Sequence, residues 1–330
     1  MLAVVAHGAG DLRVEHRDEP VPGPGEVAVA VRYGGICGSD LHYYRHGAVG
    51  DFRLREPLVL GHEVVGTVDG TPVAVHPGRS CGECGQCLRG SRHLCVSGGY
   101  LGSAARFPHV QGGFAGTLVV PAESVRPLPT GLDLRRAAVA EPAAVAWHAV
   151  ARAGDVRGRR VLVTGAGPIG CLVVAALRAA GAGEIVVTDL HPGPLRVAEA
   201  VGATATQAAT EPVEHVEADV AVESSGSPAG LTACLRGVER GGLVVALGLL
   251  PPGDSPVAAN LIVTRELRVT GSFRFGAELD DVLPALADGR LAVDPVVTSV
   301  LPATAAREAF ELAADPARSC KVLLDFRPGG

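Results

Sequence analysis

The stretch Arg160-Val-Leu-Val-Thr-Gly165-Ala-Gly167-Pro-Ile-Gly170 decides the fold of the second half of this chain. Its first five residues are mostly apolar and β-branched, which predicts a buried strand. Three glycines follow at the Gly-x-Gly-x-x-Gly spacing, and the uncharged run after them predicts a helix. Such glycines let a pyrophosphate approach the helix N-terminus. The predicted cofactor contacts are Gly165, Gly167, Pro168, Ile169 and Gly170.

An acidic residue follows at the place where a dinucleotide site uses one. Asp189 lies 24 residues after Gly165 and ends a second apolar run, where its carboxylate can accept the ribose hydroxyls. The same charge repels a 2′-phosphate, so the sequence predicts NAD as the cofactor, with NADP less favoured. The nearby basic residues His191 and Arg196 leave NADP open as an alternative.

Apolar runs alternate with helical stretches around this motif, which predicts a parallel sheet with crossover helices. The predicted strands are residues 161–164, 185–188, 220–223 and 243–247, with 267–273 closing the sheet and 296–301 following a helix at 279–288. The first 130 residues differ because they are rich in Gly and Pro and carry only short β-branched runs. That part predicts short strands joined by irregular loops.

The composition excludes several classes of function. With 330 residues and 47% hydrophobic content, the chain can form two packed domains. A net charge of −6 gives no basic field, so we expect no nucleic-acid partner. The uncharged run that starts at residue 161 contains several glycines and a proline, so it predicts no membrane span. The N-terminus has no secretory pattern, so we expect a cytoplasmic protein.

Four cysteines lie within fifteen residues. Their spacing, Cys81, Cys84, Cys87 and Cys95, predicts a closed tetrahedral zinc site that holds a loop and leaves no position open for chemistry. Disulfides or four unrelated cysteines are the alternative. A zinc module for nucleic acid is a second alternative, but only Gly, Glu and Gln separate the first three cysteines.

A second set of donors comes from two short motifs. Cys37 follows a pair of glycines, and His62 and Glu63 are adjacent, so sulfur, imidazole and carboxylate come from two loops. Taken singly, such residues are more often core filler or surface groups. Together with the cysteine cluster they predict a catalytic zinc with an open position.

These motifs, in this order, resemble the zinc-containing medium-chain alcohol and polyol dehydrogenases. The resemblance covers essentially the whole chain and implies an α/β fold: a GroES-like, mainly β catalytic domain and a Rossmann cofactor domain with a doubly wound parallel sheet. It implies that the catalytic domain consists of residues 1–145 and 276–330 and the cofactor domain of residues 146–275. It also implies two zinc ions per subunit. The family assembles through an edge of the cofactor sheet, so we expect a homo-oligomer, a tetramer.

The resemblance also implies roles for further residues. Glu141 matches a fourth zinc ligand, direct or through water, and Glu63 is both a ligand and part of the catalytic set. Ser39 matches the hydroxyl that takes the substrate proton, and His42 matches the histidine that passes it on; a helix cap is the alternative for Ser39. The later turns that border the nicotinamide match Ser225, Gly226, Leu247 and Gly248.

The substrate expected from the resemblance is a small polyol or sugar acid. Segments at residues 40–44, 50–52, 102–104, 107–114 and 271–275 favour family members that oxidise the C5 hydroxyl of L-idonate, with sorbitol, xylitol or another secondary alcohol as the alternative. The expected substrate contacts are Tyr43, Phe107, Glu141 and Arg274. Core packing for the aromatics and a surface ion pair for the arginine are the other interpretations.

A protein that kept the fold but lost its chemistry is the remaining alternative. Such a protein is expected to lose its open metal site first. All the residues of that site are present: Cys37, Ser39, His62, Glu63 and Glu141.

Overall fold

The computed structural model describes residues 1–327. Its N-terminal part consists mainly of short strands, in agreement with the Gly- and Pro-rich sequence. The strands are β1 (Leu2–Gly8), β2 (Asp11–His16), β3 (Glu26–Gly35), β4 (Ala48–Val49), β5 (Phe52–Arg53), β6 (Leu58–Val59), β7 (Glu63–Val68), β8 (Thr71–Val75), β9 (Gly78–Arg79), β10 (Gly99–Tyr100), β11 (Thr117–Pro121) and β12 (Val125–Pro127). The helices are α1 (Gly38–His46), α2 (Gly85–Leu88), α3 (Leu134–Ala137) and α4 (Ala140–Ala153).

Strands and helices alternate from residue 160 onward. The strands are β13 (Arg160–Thr164), β14 (Glu184–Asp189), β15 (Ala205–Ala208), β16 (Ala218–Glu223), β17 (Val238–Ala246) and β18 (Arg268–Gly271). The helices are α5 (Pro168–Ala179), α6 (Pro192–Ala200), α7 (Pro228–Gly237) and α8 (Asn260–Thr264). The chain then forms α9 (Leu279–Ala287), β19 (Val297–Pro302), α10 (Ala306–Ala313) and β20 (Lys321–Asp325).

The six strands β13 to β18 form one parallel sheet in the order β15-β14-β13-β16-β17-β18. Alternate residues of β13 point into different cores: Val161 and Val163 pack with α4 and α5, whereas Leu162 packs with α7. All three side chains are fully buried. A strand buried on both faces is expected in a doubly wound sheet, so the predicted fold class is confirmed.

Some elements differ from the sequence-based expectation. Strand β17 begins five residues earlier than predicted, because a Gly-Gly pair interrupts the apolar pattern within it. Strand β15 was not predicted, since its sequence Ala-Thr-Gln-Ala carries no apolar run and it lies at the sheet edge. Helix α4 was not predicted either, although ten of its fourteen residues are buried.

The other large sheet has seven strands, in the order β12-β8-β7-β3-β20-β19, with β11 also paired to β3. Strands β7 and β8 form a tight hairpin whose turn residues Asp69 and Gly70 have φ of 48° and 81°, as the two-residue turn of a hairpin requires. The stretch between the His62-Glu63 motif and the cysteine loop is therefore a hairpin.

Strand β20 is antiparallel to β3, with Leu323 opposite Gly35, so the C-terminal segment completes the N-terminal sheet. We propose the division into residues 1–145 with 276–330, and 146–275; residues 328–330 lie outside the described part. Within residues 1–327, no helix has the length and apolar character needed to cross a bilayer.

Candidate metal centres and dinucleotide site

The first group of donors forms where β3 and β7 run side by side. Cys37 caps the N-terminus of α1 directly after β3, and Glu63 starts β7 opposite Gly35. The Cys37 sulfur, an imidazole nitrogen of His62 and a carboxylate oxygen of Glu63 all lie within 4.8 Å of one another. Gly35 is required here, because a Cβ at this position would lie 2.0 Å from Glu63 Oε2.

Asp40 connects the two segments that carry these donors. It is fully buried, and its carboxylate accepts hydrogen bonds from the Cys37 amide at 2.9 Å and the Gly61 amide at 3.1 Å. Burial raises the pKa of Asp40, and these backbone donors oppose that rise. Asp40 thus fixes the backbone beside both Cys37 and His62, a role that the sequence analysis did not assign.

The charge around His62 favours a cation. Burial alone lowers the pKa of this imidazole, but Cys37, Asp40 and Glu141 outweigh burial and raise the pKa to about 10. A divalent metal ion would meet the same electrostatic demand while leaving the imidazole neutral. Sulfur, nitrogen and oxygen donors together suit zinc, and three protein ligands leave a position open for substrate.

Glu141 lies beside this group but is not among the atoms within 4.8 Å of one another. Its carboxylate accepts a hydrogen bond of 2.5 Å from the Tyr100 hydroxyl, and burial raises its pKa to about 7. The Arg274 guanidinium lies 4.1 Å from the centre of the Tyr100 ring. Tyr100 thus links two predicted site residues, and no local sequence pattern pointed to it.

The predicted proton relay lies on α1. Ser39 and His42 are three residues apart, so they occupy neighbouring positions on the helix surface. Ser39 is half-buried and lies two residues from Cys37, whereas His42 is exposed. Burial, followed by the charges of His46 and Arg45, lowers the pKa of His42.

The two predicted aromatic contacts differ in their surroundings. Tyr43 is buried, and its hydroxyl accepts a hydrogen bond of 2.9 Å from the Ala104 amide. Phe107 is 58% exposed, and its ring packs against Arg55 at 4.3 Å and edge-on against His109. The structure does not place Phe107 with Arg274 and Tyr100, so its role at the substrate stays a prediction.

The second group of donors consists of the four cysteines. The sulfur separations are 3.4 Å for Cys81 and Cys95, 3.6 Å for Cys84 and Cys87, and 3.9 Å for two further pairs. A tetrahedral zinc site with Zn–S bonds of about 2.3 Å requires separations of about 3.8 Å. A disulfide would need about 2.0 Å. The four thiols therefore fit a closed zinc site, and all four are free.

The glycine motif has the shape that a dinucleotide needs. Gly165 has φ of 90°, and a Cβ at Gly170 would lie 1.9 Å from the Gly165 carbonyl oxygen, so both positions require glycine. A Cβ at Gly167 would meet nothing within 4 Å. Helix α5 begins at Pro168, which has no N–H, so the free amides of its first turn start at Ile169, two residues after Gly167.

The other predicted cofactor residues lie at the carboxyl ends of the neighbouring strands. Asp189 ends β14, where it accepts a hydrogen bond of 2.7 Å from the Ala166 amide in the glycine turn. The turns Ser225-Gly226 and Leu247-Gly248 follow β16 and β17 and pack closely, since a Cβ at Gly248 would lie 2.3 Å from the Gly226 nitrogen.

Glu223 holds these two turns together. Its carboxylate accepts hydrogen bonds from the Ser225 hydroxyl at 2.5 Å and the Gly226 amide at 2.9 Å. Its carbonyl accepts from the amides of Leu247 and Gly248, both at 2.9 Å. Glu223 is another residue that the sequence analysis passed over, because its role depends on turns that follow two different strands.

Lys321 is a fourth residue that the sequence analysis passed over. It is 2% exposed, and its ammonium donates to both carboxylate oxygens of Glu63 at 2.8 Å and to the Ile36 carbonyl at 3.0 Å. Burial alone lowers the pKa of Lys321, but Glu63 and Cys37 outweigh burial and raise it. Lys321 therefore remains charged next to the metal donors.

Comparisons with known proteins agree with this architecture. Residues 23–130 match the alcohol dehydrogenase GroES-like domain family, and residues 168–288 match the zinc-binding dehydrogenase family. The chain is 37% identical to L-idonate 5-dehydrogenase (NAD(P)(+)) of Escherichia coli over 90% of this chain and 91% of that protein. It is 34% identical to sorbitol dehydrogenase of Bacillus subtilis, with 97% and 95% covered.

The fold agrees equally well with a solved structure. The crystal structure of L-idonate 5-dehydrogenase from Escherichia coli superposes with a TM-score of 0.94 at 34% identity, covering 98% of this chain and 97% of that one. Family matches in both halves, full-length relatives and the two donor groups lead to one conclusion. The chain belongs to the zinc-containing medium-chain alcohol and polyol dehydrogenases.

Proposed function

We propose that this protein oxidises the C5 hydroxyl of L-idonate to the 5-keto acid, 5-ketogluconate, with NAD as the hydride acceptor. In this proposal Cys37, His62 and Glu63 hold the catalytic zinc, and Glu141 contributes directly or through water. The four-cysteine group holds a second, structural zinc. The 37% identical relative named L-idonate 5-dehydrogenase supports this substrate, and the relatives named sorbitol dehydrogenase support a neutral polyol as the second candidate.

The environment of Arg274 is the observation that carries the sugar-acid assignment. Its guanidinium carbon lies over the Tyr100 ring at 4.1 Å and over the Phe273 ring at 4.8 Å from the ring centres. Within residues 1–327 no carboxylate forms an ion pair with it. Burial lowers its pKa, so an anionic ligand would be favourable here. A planar guanidinium matches a carboxylate.

The backbone of Arg274 is also unusual. Its φ of 54° lies in the left-handed region, which costs a residue with a side chain about 1 kcal/mol. Such conformations occur where the surroundings fix them, often at ligand sites. The strained backbone supports the view that the guanidinium is held in place for a ligand.

The chain's own residues supply the proton path in this proposal. Zinc at the three-donor site supplies Lewis-acid polarisation of the substrate hydroxyl, which lowers its pKa toward neutrality. Ser39, two residues from Cys37, takes the hydroxyl proton, and His42 passes it to solvent from the exposed side of α1. A bound nicotinamide cofactor would accept the hydride, and the turns Ser225-Gly226 and Leu247-Gly248, which Glu223 holds, are the proposed border of its site.

The proposal is tested by NADH formation from L-idonate, D-sorbitol and L-threonine, each with and without a zinc chelator. We expect chelator-sensitive turnover that is fastest with L-idonate. A preference for sorbitol would instead identify the protein as a polyol dehydrogenase. No turnover of any of the three by zinc-replete protein, with NADP also tried, would refute the substrate assignment and leave the fold unaffected.

Replacing Arg274 separates the sugar acid from the polyol. We expect Arg274→Met to reduce kcat/KM for L-idonate by about 10- to 100-fold, since a charge-assisted hydrogen bond contributes about 1.5–3 kcal/mol. Turnover of sorbitol should fall much less. Arg55→Met, which removes a guanidinium stacked on the exposed Phe107, is the matched control. Equal losses for both substrates would refute carboxylate recognition by Arg274.

The pH dependence of alcohol oxidation should report on His42. Burial, followed by the charges of His46 and Arg45, lowers its pKa, and the His46 ring lies 5.7 Å from the His42 ring. Because His42 must be neutral to accept the proton, His46→Gln should raise its pKa and shift the acid limb of kcat to higher pH. The same substitution at the distant His215 should leave the limb in place. An unchanged limb in His46→Gln would exclude His42 from the proton path.

The choice of cofactor and the assembly complete the proposal. Asp189 is the acid expected to favour NAD over NADP, whereas the Escherichia coli relative is named for both cofactors. Strand β18 is one of the two edge strands of the cofactor sheet, and Val269 on it is exposed. We propose a homotetramer in the cytoplasm.

A further inference from the structure

We propose that Lys321 is a positioning residue of the catalytic metal centre, whose ammonium holds the Glu63 carboxylate and the Ile36 carbonyl so that Glu63 and Cys37 converge on one ion. The proposal rests on the metal centre assigned above. It adds a residue that lies 258 positions from Glu63 in the chain and contributes no metal ligand itself.

The geometry uses the full donor capacity of the side chain. An ammonium has three N–H donors and no acceptor. Lys321 directs them to Glu63 Oε1 at 2.8 Å, Glu63 Oε2 at 2.8 Å and the Ile36 oxygen at 3.0 Å. The first two contacts fix the orientation of the carboxylate. The third fixes the backbone immediately before Cys37.

The surrounding charge explains why a cation is needed there. The Cys37 sulfur and a Glu63 carboxylate oxygen lie within 4.8 Å of one another, and the Lys321 ammonium contacts that carboxylate at 2.8 Å. Negative donors brought together without a metal repel one another. A fixed cation behind Glu63 reduces this repulsion, so the donors can be arranged before the ion binds.

The composition of the chain supports a specific requirement for lysine. Of 29 basic residues only Lys321 is a lysine, and the other 28 are arginines. An arginine would keep the charge, but its guanidinium is larger, planar and presents its donors in a rigid fork. The pocket behind Glu63 is filled, since Lys321 is 2% exposed and Glu63 is fully buried. A compact tetrahedral donor fits where a fork does not.

The test measures metal binding by the full-length protein loaded with Co²⁺ in place of zinc. Co²⁺ affinity of the catalytic site and its visible absorption spectrum report ligand geometry independently of turnover. We expect Lys321→Met to weaken binding by about 10- to 100-fold, as is typical for residues that orient metal ligands. Lys321→Arg should also weaken binding and alter the spectrum. Unchanged affinity and spectrum in Lys321→Met would overturn the proposal. Wild-type affinity and spectrum in Lys321→Arg would show that only the charge matters, which would overturn the requirement for lysine.

A double variant separates positioning from folding. Lys321→Met leaves a buried carboxylate without its partner, which can unfold the chain. Lys321→Met/Glu63→Gln removes both charges, and it should fold. In the Glu63→Gln background the loss of Lys321 should weaken Co²⁺ binding less than in the unchanged protein, because the contacts with the Glu63 carboxylate are already lost and only the one with the Ile36 carbonyl remains. Additive losses would contradict the proposal.

Two further measurements show whether the assignment of the metal centre or the role of Lys321 is wrong. The four-cysteine site is the internal control, since it should keep its metal in every variant. If Glu63→Gln alone binds Co²⁺ like the unchanged protein, Glu63 is not a ligand and the proposed metal centre itself is wrong. If only the proposal about Lys321 is wrong, Glu63→Gln weakens Co²⁺ binding and Lys321→Met does not.

Discussion

His62→Ala should reduce kcat/KM for the preferred substrate by at least about 10⁴-fold and remove one zinc per chain. A zinc ion lowers the pKa of bound water from about 15.7 to about 7, a difference on the order of 12 kcal/mol in forming the oxyanion. A bound alcohol would benefit similarly, so losing the ion removes most of the rate enhancement. His62 is a donor whose surroundings favour a positive charge, since Cys37, Asp40 and Glu141 outweigh burial and raise its pKa to about 10. Zinc content and steady-state kinetics check the result.

A matched substitution shows whether the effect is specific to the metal. His109 is also a buried histidine of the N-terminal part, and its ring nitrogens bond the Arg55 amide at 2.9 Å and the Arg106 carbonyl at 2.7 Å. His109→Gln should keep both zinc ions, even if it destabilises the fold. If His62→Ala retained two zinc ions and full activity, the open metal site would not be at Cys37, His62 and Glu63.

Cys95→Ser should remove the other zinc ion and lower the Tm by at least about 10 °C. Structural zinc sites hold their ion with an apparent free energy of about 10–16 kcal/mol, and a domain of this size loses about 2–4 °C for each kcal/mol of stability. Cys95 is the donor farthest along the chain, so it closes the loop onto Cys81. Calorimetry together with zinc analysis measures both effects.

The control for this prediction is another buried thiol. Cys234 lies in the core next to the Thr164 hydroxyl, at 3.3 Å, and outside both donor groups. Cys234→Ser makes the same atomic change without touching a metal ligand, so the zinc content should stay at two. A stable Cys95→Ser protein with two bound zinc ions would show that the four cysteines do not form a closed site.

Contiguous motifs were predictable from the sequence because their physics is local. The strand, glycine turn and helix at residues 160–179 follow from apolar pattern and backbone freedom within a few residues. The cysteine spacing likewise fixes which thiols can share an ion. The paired motifs of Cys37 and His62-Glu63 could be proposed as one site only through their order along the chain and the family resemblance.

Residues that contact the site but lie far from it along the sequence could be identified only in the folded protein. Tyr100 reaches Glu141 across 41 residues, and Lys321 reaches Glu63 across 258. Neither has a spacing that a local pattern can reveal, because their contacts depend on which strands pair.

The sequence by itself determined the parallel cofactor sheet, its glycine turn and the two sets of metal donors. Only the tertiary structure decided which other side chains contact those donors. Strand β20 pairs with β3 and thereby places the chain's one lysine against Glu63. The physical reason is that local pattern encodes backbone conformation, whereas charge neutralisation in a buried site depends on neighbours that the folded sheet brings together.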